Sequence, residues 1–319
     1  MRPPPRSRAP LSPGARRCYG RDSSWHEHRT TTSFEEPAMN IVIFGVGHMG
    51  SAILRGLQRN ARADVLAVDP DPKRRAVAAN MGVNATDTPS RLGSSDIAVL
   101  AMPPQAFAAF AASQRAIHAT SPVVSVMAGI RASALEAALA TPQVIRAIPN
   151  TPSEFYEGMT VFYAPPAASP DTIAAAGQIF ETIGRVLHVQ NEALLDPATA
   201  LCGGGPAFVA YFAHALAQFA TDAGFAPAQA AAMTAQVLRG TATLLERSAK
   251  PAMQLCQEVM TAGGTTERGI QVFERKMLGR IIYEALEKAS ARSAELGGAE
   301  TADTGSPTMQ GISTGGTSC

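Results

Sequence analysis

Short β-branched apolar runs alternate with alanine-rich stretches through the part of the chain that follows Met39. The runs occupy residues 41–44, 65–68, 97–101, 123–126, 144–148, 161–163 and 186–189. Strands separated by helices at this spacing are typical of βαβ units. The pattern therefore predicts an α/β domain with a mostly parallel sheet over residues 39–190.

From Asn191 onward the β-branched runs stop and the apolar spacing becomes helical. Helices are predicted over residues 196–224, with an interruption at the glycines 203–205, and over 227–248, 251–260, 265–275 and 279–296. Helices with many Ala and Gly positions pack closely, and such domains often find their missing core in a second copy of the chain. We therefore predict an all-α dimerisation domain over residues 191–297.

The two ends of the chain show neither pattern. Residues 1–38 carry prolines at positions 3, 4, 5, 10 and 13 and several arginines, without the apolar core of a secretory signal. An organelle transit peptide would need an amphipathic helix, which those prolines oppose. We expect a disordered extension, with Met39 as the functional start. Residues 298–319 are rich in Gly, Ser and Thr, which predicts a disordered tail.

Composition and charge limit the possible partners. The 319 residues are 46% hydrophobic and 17% charged, with a formal net charge of +1. Such a balance argues against a nucleic-acid binder and against a polybasic membrane-surface protein. No apolar run reaches the roughly 18–20 residues of a membrane span, and the longest candidate, residues 207–220, is interpreted as a buried helix.

Cysteine and histidine spacing predicts neither a metal site nor a disulfide framework. Cys18, Cys202, Cys256 and Cys319 lie far apart and match no zinc or haem spacing. A reduced, cytoplasmic protein without a bound metal is the interpretation that fits this usage.

A glycine-rich turn lies between the first predicted strand and the helix that follows it. Its residues are Gly45, Val46, Gly47, His48, Met49 and Gly50. The spacing G-x-G-x-x-G in a strand–turn–helix context is the fingerprint of a Rossmann-type dinucleotide-binding domain. The three glycines permit a tight turn, close approach of the pyrophosphate and close packing of the helix, whose N-terminus favours anions. We therefore expect NADH or NADPH as cofactor.

The end of the second predicted strand bears on the choice between the two cofactors. Asp69 follows this strand about 20 residues after the glycines, where an acidic residue bonds the ribose hydroxyls, and this favours NADH slightly. Lys73, Arg74 and Arg75 follow it. They could hold a 2′-phosphate instead, or could form a solvated helix face.

The segments that follow the third and fourth predicted strands should contact the nicotinamide half of the cofactor, since ligands in open α/β sheets lie beyond the carboxyl ends of strands. The candidate contacts are Ala101, Met102, Pro103, Ala128 and Gly129. Asn150 could also contact cofactor or substrate, or its amide could fix a turn.

Three further segments resemble the pyrroline-5-carboxylate reductase family. Residues 146–152 with 157–160 resemble its R-x-M-P-N-T-P…G-x-T stretch, residues 201–208 its L-S-G-S-G-P-A-Y signature, and residues 259–266 its V-T-S-P-G-G-T-T signature. The resemblance implies reduction of the cyclic imine pyrroline-5-carboxylate to proline with NADPH or NADH. It also implies a homodimer interlocked through the helical domain, in some members assembled further into rings.

The same resemblance implies how the substrate is held. Thr261, Gly263, Gly264 and Thr265 would bind its carboxylate at a helix N-terminus. The hydroxyl of Thr266, the last Thr of the family motif, would hydrogen-bond the ring nitrogen. With a hydroxyl pKa far above neutral, it would orient the nitrogen or relay a proton. Both threonines could alternatively serve only to cap the helix.

Departures from the family pattern keep other functions open. Pro103 stands where the family usually has lysine, Cys202 and Gly204 replace two serines, and Ala262 replaces a proline. A reductase of another cyclic imino acid and an inactive cofactor-binding regulator are the alternatives. A hydroxyacid or 6-phosphogluconate-type dehydrogenase would need a lysine in a specific motif, which the helical region lacks.

Overall fold

The computed structural model describes residues 39–302 except 61–62, 89–91, 94 and 114–119, and it describes no side chains for residues 298–302. The predicted disordered extension, residues 1–38, and residues 303–319 of the predicted tail lie outside the described residues.

The described part of the chain contains one eight-stranded sheet in the order β3-β2-β1-β4-β5-β6-β7-β8. The strands are β1 Met39–Phe44, β2 Ala63–Val68, β3 Asn84–Thr86, β4 Ile97–Leu100, β5 Val123–Ser125, β6 Val144–Ile148, β7 Gly158–Tyr163 and β8 Gly184–Val189. Every neighbouring pair is parallel except β6 with β7. The predicted mostly parallel sheet is confirmed. The short edge strand β3 escaped prediction because its residues Asn-Ala-Thr form no apolar run.

Five helices accompany the sheet: α1 His48–Asn60, α2 Pro72–Asn80, α3 Phe107–Ser113, α4 Ala132–Leu139 and α5 Pro170–Glu181. One core cluster packs Ile53 of α1 and Phe180 of α5 against strand residues such as Ile43. A second cluster packs Leu135 of α4 against the alternate strand residues, including Val42. Burial on both faces explains why the central strands are continuous apolar runs rather than alternating ones.

After β8 the described chain is entirely helical. The helices are α6 Leu195–Ala198, α7 Gly205–Asp222, α8 Pro227–Arg247, α9 Ala252–Val259, α10 Thr265–Arg275 and α11 Leu278–Ala302, with a single π-helical turn, Thr199–Gly203, between α6 and α7. The predicted order of an α/β domain followed by an all-α domain is confirmed. The predicted end of the last helix at residue 296 was wrong. Ala299, Glu300 and Ala302 are good helix formers, and they extend α11 into the segment predicted as tail.

Much of the apolar surface of the helical part is uncovered within one chain. Helix α7 buries only Ala220, and its main packing partner is α8. Large exposed apolar side chains include Phe208, Val209, Tyr211, Phe212, Phe219, Val237, Leu244, Phe273, Ile281, Ile282 and Tyr283. The prediction of a buried helix over residues 207–220 is therefore wrong for the single chain, because the described part of that chain supplies no core around it. Apolar surface this extensive marks an interaction site.

Among the described residues, one helical stretch, Glu192–Asp222, is long and apolar enough by length and composition alone to cross a membrane. The stretch carries the π-helical turn and lies at the start of the helical part. A helix that covers a subunit interface has the same apolar character, so this feature does not by itself indicate a membrane protein.

Candidate functional site

Two of the three motif glycines are required by the geometry of the turn. Gly45 has φ +100°, and a Cβ on it would lie 2.8 Å from the backbone of Ala101. A Cβ on Gly50 would lie 1.9 Å from the carbonyl oxygen of Gly45. The first position therefore lets β1 turn beside the end of β4, and the third lets α1 pack directly on the turn.

The middle glycine borders open space. The nearest atom that a Cβ on Gly47 would meet is Arg74 Nη1, at 4.0 Å. Helix α1 begins at the next residue, the exposed His48, and the first N–H groups of a helix have no partner within it. An open backbone beside a helix N-terminus fits the pyrophosphate of a dinucleotide cofactor. The contacts predicted for His48 and the half-buried Met49 stay predictions.

Asp69 connects the end of β2 to the glycine turn. Its carboxyl group accepts hydrogen bonds from the backbone N–H groups of Val46, at 2.8 Å, and Asp71, at 2.9 Å. Only 1% of Asp69 is exposed. Burial and these two bonds argue against its predicted role as a ribose ligand, since the carboxylate is turned into the protein. Val46 is likewise in the core, so its predicted cofactor contact also stays a prediction.

Two arginines near this turn are held differently. Arg75 donates from Nη1 to the carbonyl oxygens of Asp69 and Pro70, both at 2.8 Å, and so braces the loop after β2. Arg74 is 47% exposed in its side chain, and its Nη1 lies 3.7 Å from Asp69 Oδ2. Its Nε lies 3.9 Å from Asp71 Oδ2, so the half-exposed guanidinium group stands beside Gly47 and near two carboxylates.

The predicted contacts for the nicotinamide half meet at the same edge of the sheet as the glycine turn. Phe44, Leu100 and Ser125 are in register on adjacent parallel strands, so β1, β4 and β5 end side by side. The segment that follows β4 carries Ala101, Met102 and Pro103, and the segment after β5 carries the exposed Ala128 and the buried Gly129. The sheet thus brings the predicted cofactor residues of three strand ends together.

Asn150 bridges two elements instead of pointing freely into a cleft. Its Nδ2 donates to the carbonyl oxygen of Cys202 in the π-helical turn, at 3.1 Å, and its Oδ1 accepts from the N–H of Met159, at 2.9 Å. The turn-fixing role considered for this amide is therefore observed, and a cofactor contact stays a prediction. Burial raises the pKa of the Cys202 thiol, which favours its protonated, less reactive form near neutral pH.

The glycine cluster before α7 exposes backbone at the entrance to the helical part. The N–H of Gly204 donates to the Thr199 carbonyl oxygen at 2.8 Å, which closes the π-helical turn. A Cβ on Gly205 would meet no described atom within 4 Å. Internal packing therefore does not require glycine at position 205, which leaves room for a ligand or a second chain.

The Gly263–Thr266 segment forms an exposed turn at the start of α10. Gly263 has φ +74°, and its N–H donates to Glu267 Oε2 at 2.6 Å. The N–H of Gly264 donates to the Thr261 carbonyl oxygen at 2.8 Å. Both glycine N–H groups are thus engaged inside the turn, so their predicted contacts with a substrate carboxylate stay predictions. Thr265 and Thr266 are exposed at the first two positions of the helix.

The two candidate clusters are not united by one chain. Helix α10 packs chiefly on α11, and within the described residues it has no contact of comparable extent with the sheet. Within the described part of one chain, the helix that carries the Thr266 turn therefore shows no extensive packing against the sheet that carries the glycine turn. In the described part of the chain no group of three or more His, Cys, Asp or Glu side chains could hold a metal ion.

Sequence reasoning missed an ion pair beneath the site. Arg146 lies in β6 and is 2% exposed, and its Nη1 is 2.6 Å from Glu192 Oε1. The same carboxylate oxygen accepts the backbone N–H of Ala132 at the start of α4. An arginine inside an otherwise apolar buried strand was the available signal, because such a charge requires a partner.

Comparisons with known proteins give matches for the segment with the glycine turn and for the segment with the Thr266 turn. Residues 192–296 match the family described as pyrroline-5-carboxylate reductase dimerisation, and residues 40–129 match the one described as NADP oxidoreductase coenzyme F420-dependent. A pyrroline-5-carboxylate reductase from Pseudomonas aeruginosa is 31% identical over 262 residues, which make up 80% of this chain and 96% of the relative. One from Thermus thermophilus is 33% identical, covering 82% of this chain and 100% of the relative. Among solved structures, a pyrroline-5-carboxylate reductase from Coxiella burnetii has a TM-score of 0.72 and 28% identity, covering 81% of this chain and 98% of that one.

Proposed function

The chain belongs to the pyrroline-5-carboxylate reductase family, and from this premise we propose how its residues divide the reaction between two copies of the chain. It is an oxidoreductase that reduces 1-pyrroline-5-carboxylate to proline with a reduced nicotinamide cofactor. The main support for the proposal is the family match over residues 192–296, which include the Thr266 turn. The same chain has an open glycine turn at the edge of its sheet.

The residues at the sheet edge fit the cofactor. The open backbone at Gly47 and the N-terminus of α1 would hold the pyrophosphate. The segments at Met102 and Gly129 would flank the nicotinamide half, which supplies the hydride when bound. Since a protonated C=N bond already accepts hydride well, the protein needs chiefly to orient the reactants, and orientation alone is worth several kcal/mol.

NADPH is the preferred reductant. The support is that Asp69 is buried with its carboxylate bonded to backbone N–H groups, whereas Arg74 stands half exposed beside Gly47. A guanidinium group recognises phosphate through charge-assisted, paired hydrogen bonds. This proposal revises the slight preference for NADH that Asp69 suggested in the sequence.

Replacing Arg74 by Ala should raise KM for NADPH about tenfold, as expected for loss of one charge-assisted contact with the 2′-phosphate. KM for NADH should stay within about twofold, because NADH lacks that phosphate. Lys73→Ala, at the exposed preceding residue, tests the neighbouring cation that could also hold the phosphate, and it should leave both constants unchanged if Arg74 alone does so. Initial rates with each cofactor measure both constants. An equal rise of KM for NADH and NADPH would show that Arg74 does not recognise the 2′-phosphate.

The start of α10 receives the substrate. The N–H groups of Thr265 and Thr266, at the first two positions of the helix, would donate hydrogen bonds to the substrate carboxylate where the helix dipole favours an anion. The Thr266 hydroxyl would hydrogen-bond the ring nitrogen and hold it while the carbon beside it is reduced. The hydroxyls of Thr261 and Thr265 lie on the same turn and could complete the carboxylate site.

The working unit is a homodimer in the cytoplasm. The exposed apolar side chains of α7, α8 and α11 would bury each other across the interface, and this accounts for the apolar stretch Glu192–Asp222 without a membrane. Residues 39–190 would then bind the cofactor and residues 191–297 would pair the chains and bind substrate.

A spectrophotometric assay tests the proposed function. Purified protein is mixed with pyrroline-5-carboxylate and NADPH or NADH, and the loss of reduced-cofactor absorbance is followed. We expect turnover with the five-membered imine, faster at low concentration with NADPH. Cofactor binding without turnover of any cyclic imine would overturn the assignment.

A further inference from the structure

The end of α11 lies directly on the turn after β5. A Cβ on Gly129, which has φ +81°, would lie 3.6 Å from the backbone of Leu296. A Cβ on Gly297 would lie 3.2 Å from the carbonyl oxygen of Gly129 and 3.1 Å from Arg131 Nε. The helix and the turn therefore approach each other closely, and the Arg131 side chain packs against the same glycine of the helix.

A buried carboxylate joins this helix to the residue that follows the turn. Asp196 of α6 is 8% exposed, and its Oδ1 accepts from the Ser293 hydroxyl of α11 at 2.8 Å. Its Oδ2 accepts from Arg131 Nη2 at 3.2 Å. Because a buried carboxylate is costly unless its oxygens are bonded, the three side chains should hold one another firmly.

We propose that Arg131, Asp196 and Ser293, here called the Asp196 latch, are positioning residues that hold the Gly129 turn against α11. This inference rests on the proposed function, which puts the nicotinamide half of the cofactor at the Gly129 turn. The latch then fixes the nicotinamide for hydride transfer. The pyrophosphate is held separately, at Gly47 and α1. Loss of the latch should therefore lower kcat far more than cofactor affinity, since displacements of the order of 1 Å are enough to slow a reaction severely.

Ser293→Ala removes one bond to Asp196 and tests the latch. In the protein without cofactor, hydrogen exchange of the amides at residues 128–132 should become about tenfold faster, because local opening becomes easier. In turnover, kcat should fall about tenfold, while Kd for NADPH changes by less than about threefold. Arg292→Ala is the matched control, since Arg292 lies on the same turn of α11 but is exposed and pairs with Glu295.

Gly297→Ala distinguishes an effect on the position of the Gly129 turn from an effect on the stability of the fold. The added methyl should stabilise α11, because Ala is a better helix former than Gly, yet it presses on the Gly129 carbonyl. We expect kcat to fall at least about threefold with an unchanged or higher Tm. Gly177→Ala in α5, where a Cβ meets no described atom within 4 Å, is the control with the same helical gain.

The possible outcomes distinguish a failure of this proposal from a failure of the proposed function. Unchanged exchange at residues 128–132 in Ser293→Ala overturns the latch, whatever the turnover. Unchanged kcat in Ser293→Ala and Gly297→Ala, with normal wild-type activity, overturns its role in catalysis. Absence of wild-type turnover on pyrroline-5-carboxylate instead rejects the proposed function, and the exchange measurement then decides on the latch alone.

Discussion

Thr266→Ala should lower kcat for pyrroline-5-carboxylate about a hundredfold, the usual cost of removing one donor aimed at the reacting group. Thr266 is exposed at the start of α10 and belongs to no packed core, so its side chain is free to serve a ligand. Kd for NADPH should stay unchanged, because the glycine turn belongs to the sheet. Steady-state kinetics and a direct cofactor titration measure the two quantities.

Thr266→Ser is the control for this prediction, since it keeps the hydroxyl and removes only the methyl. It should retain most of the activity, whereas Thr266→Val, which keeps the shape without the hydroxyl, should behave like the Ala variant. If Val and Ser variants were equally active, the hydroxyl would have no role at the ring nitrogen. Thr266 would then only shape the helix start, which is the capping role that the sequence left open.

The parts of this molecule that could be read from its sequence are those set by local rules. Strand positions followed from apolar runs, and the glycine turn followed from three glycines between a strand and a helix. Each of these depends on residues within about ten positions of one another. The edge strand β3 lacked such a signal, since its three residues, Asn-Ala-Thr, form no apolar run.

The roles that could not be predicted depend on burial and long-range contacts. Asp69 has the position of a ribose ligand, but its carboxylate faces the N–H of Val46. Glu267, unremarkable in the sequence, bonds the N–H of Gly263 and occupies one donor assigned to substrate. Asp196 and Ser293 are 97 positions apart, so no spacing rule connects them. Sequence patterns predicted where cofactor and substrate should bind, and contacts between distant residues show which of the polar groups there already have partners within the chain.

Helix α7 illustrates a limit of another kind. Its apolar composition predicted burial, and one chain leaves it exposed. Because residues 192–296 match a dimerisation family, a second chain is the environment that would cover this apolar helix. We infer the same for the Thr266 turn, because α10 packs chiefly on α11 and not on the sheet of its own chain.

Co-expression of two inactive variants should restore activity if each site combines the sheet of one chain with the α10 start of its partner. Gly47→Asp should abolish cofactor binding, because it puts a negative charge beside the pyrophosphate position, where a Cβ meets no atom closer than 4.0 Å. Thr266→Ala retains about a hundredth of the activity alone. A heterodimer of the two has one site with both intact halves. Random pairing of equal amounts should therefore give about a quarter of wild-type turnover.

The opposite arrangement predicts a different result. If each chain supplied both halves of its own site, the co-expressed pair would stay as inactive as its components. Wild type co-expressed with the Gly47→Asp/Thr266→Ala double variant distinguishes the two cases again. Independent chains would keep about half of wild-type turnover, whereas shared sites would keep about a quarter, since only wild-type homodimers would be active. Recovery in the first mixture together with a quarter in the second would require that the imine and the cofactor be held by different chains.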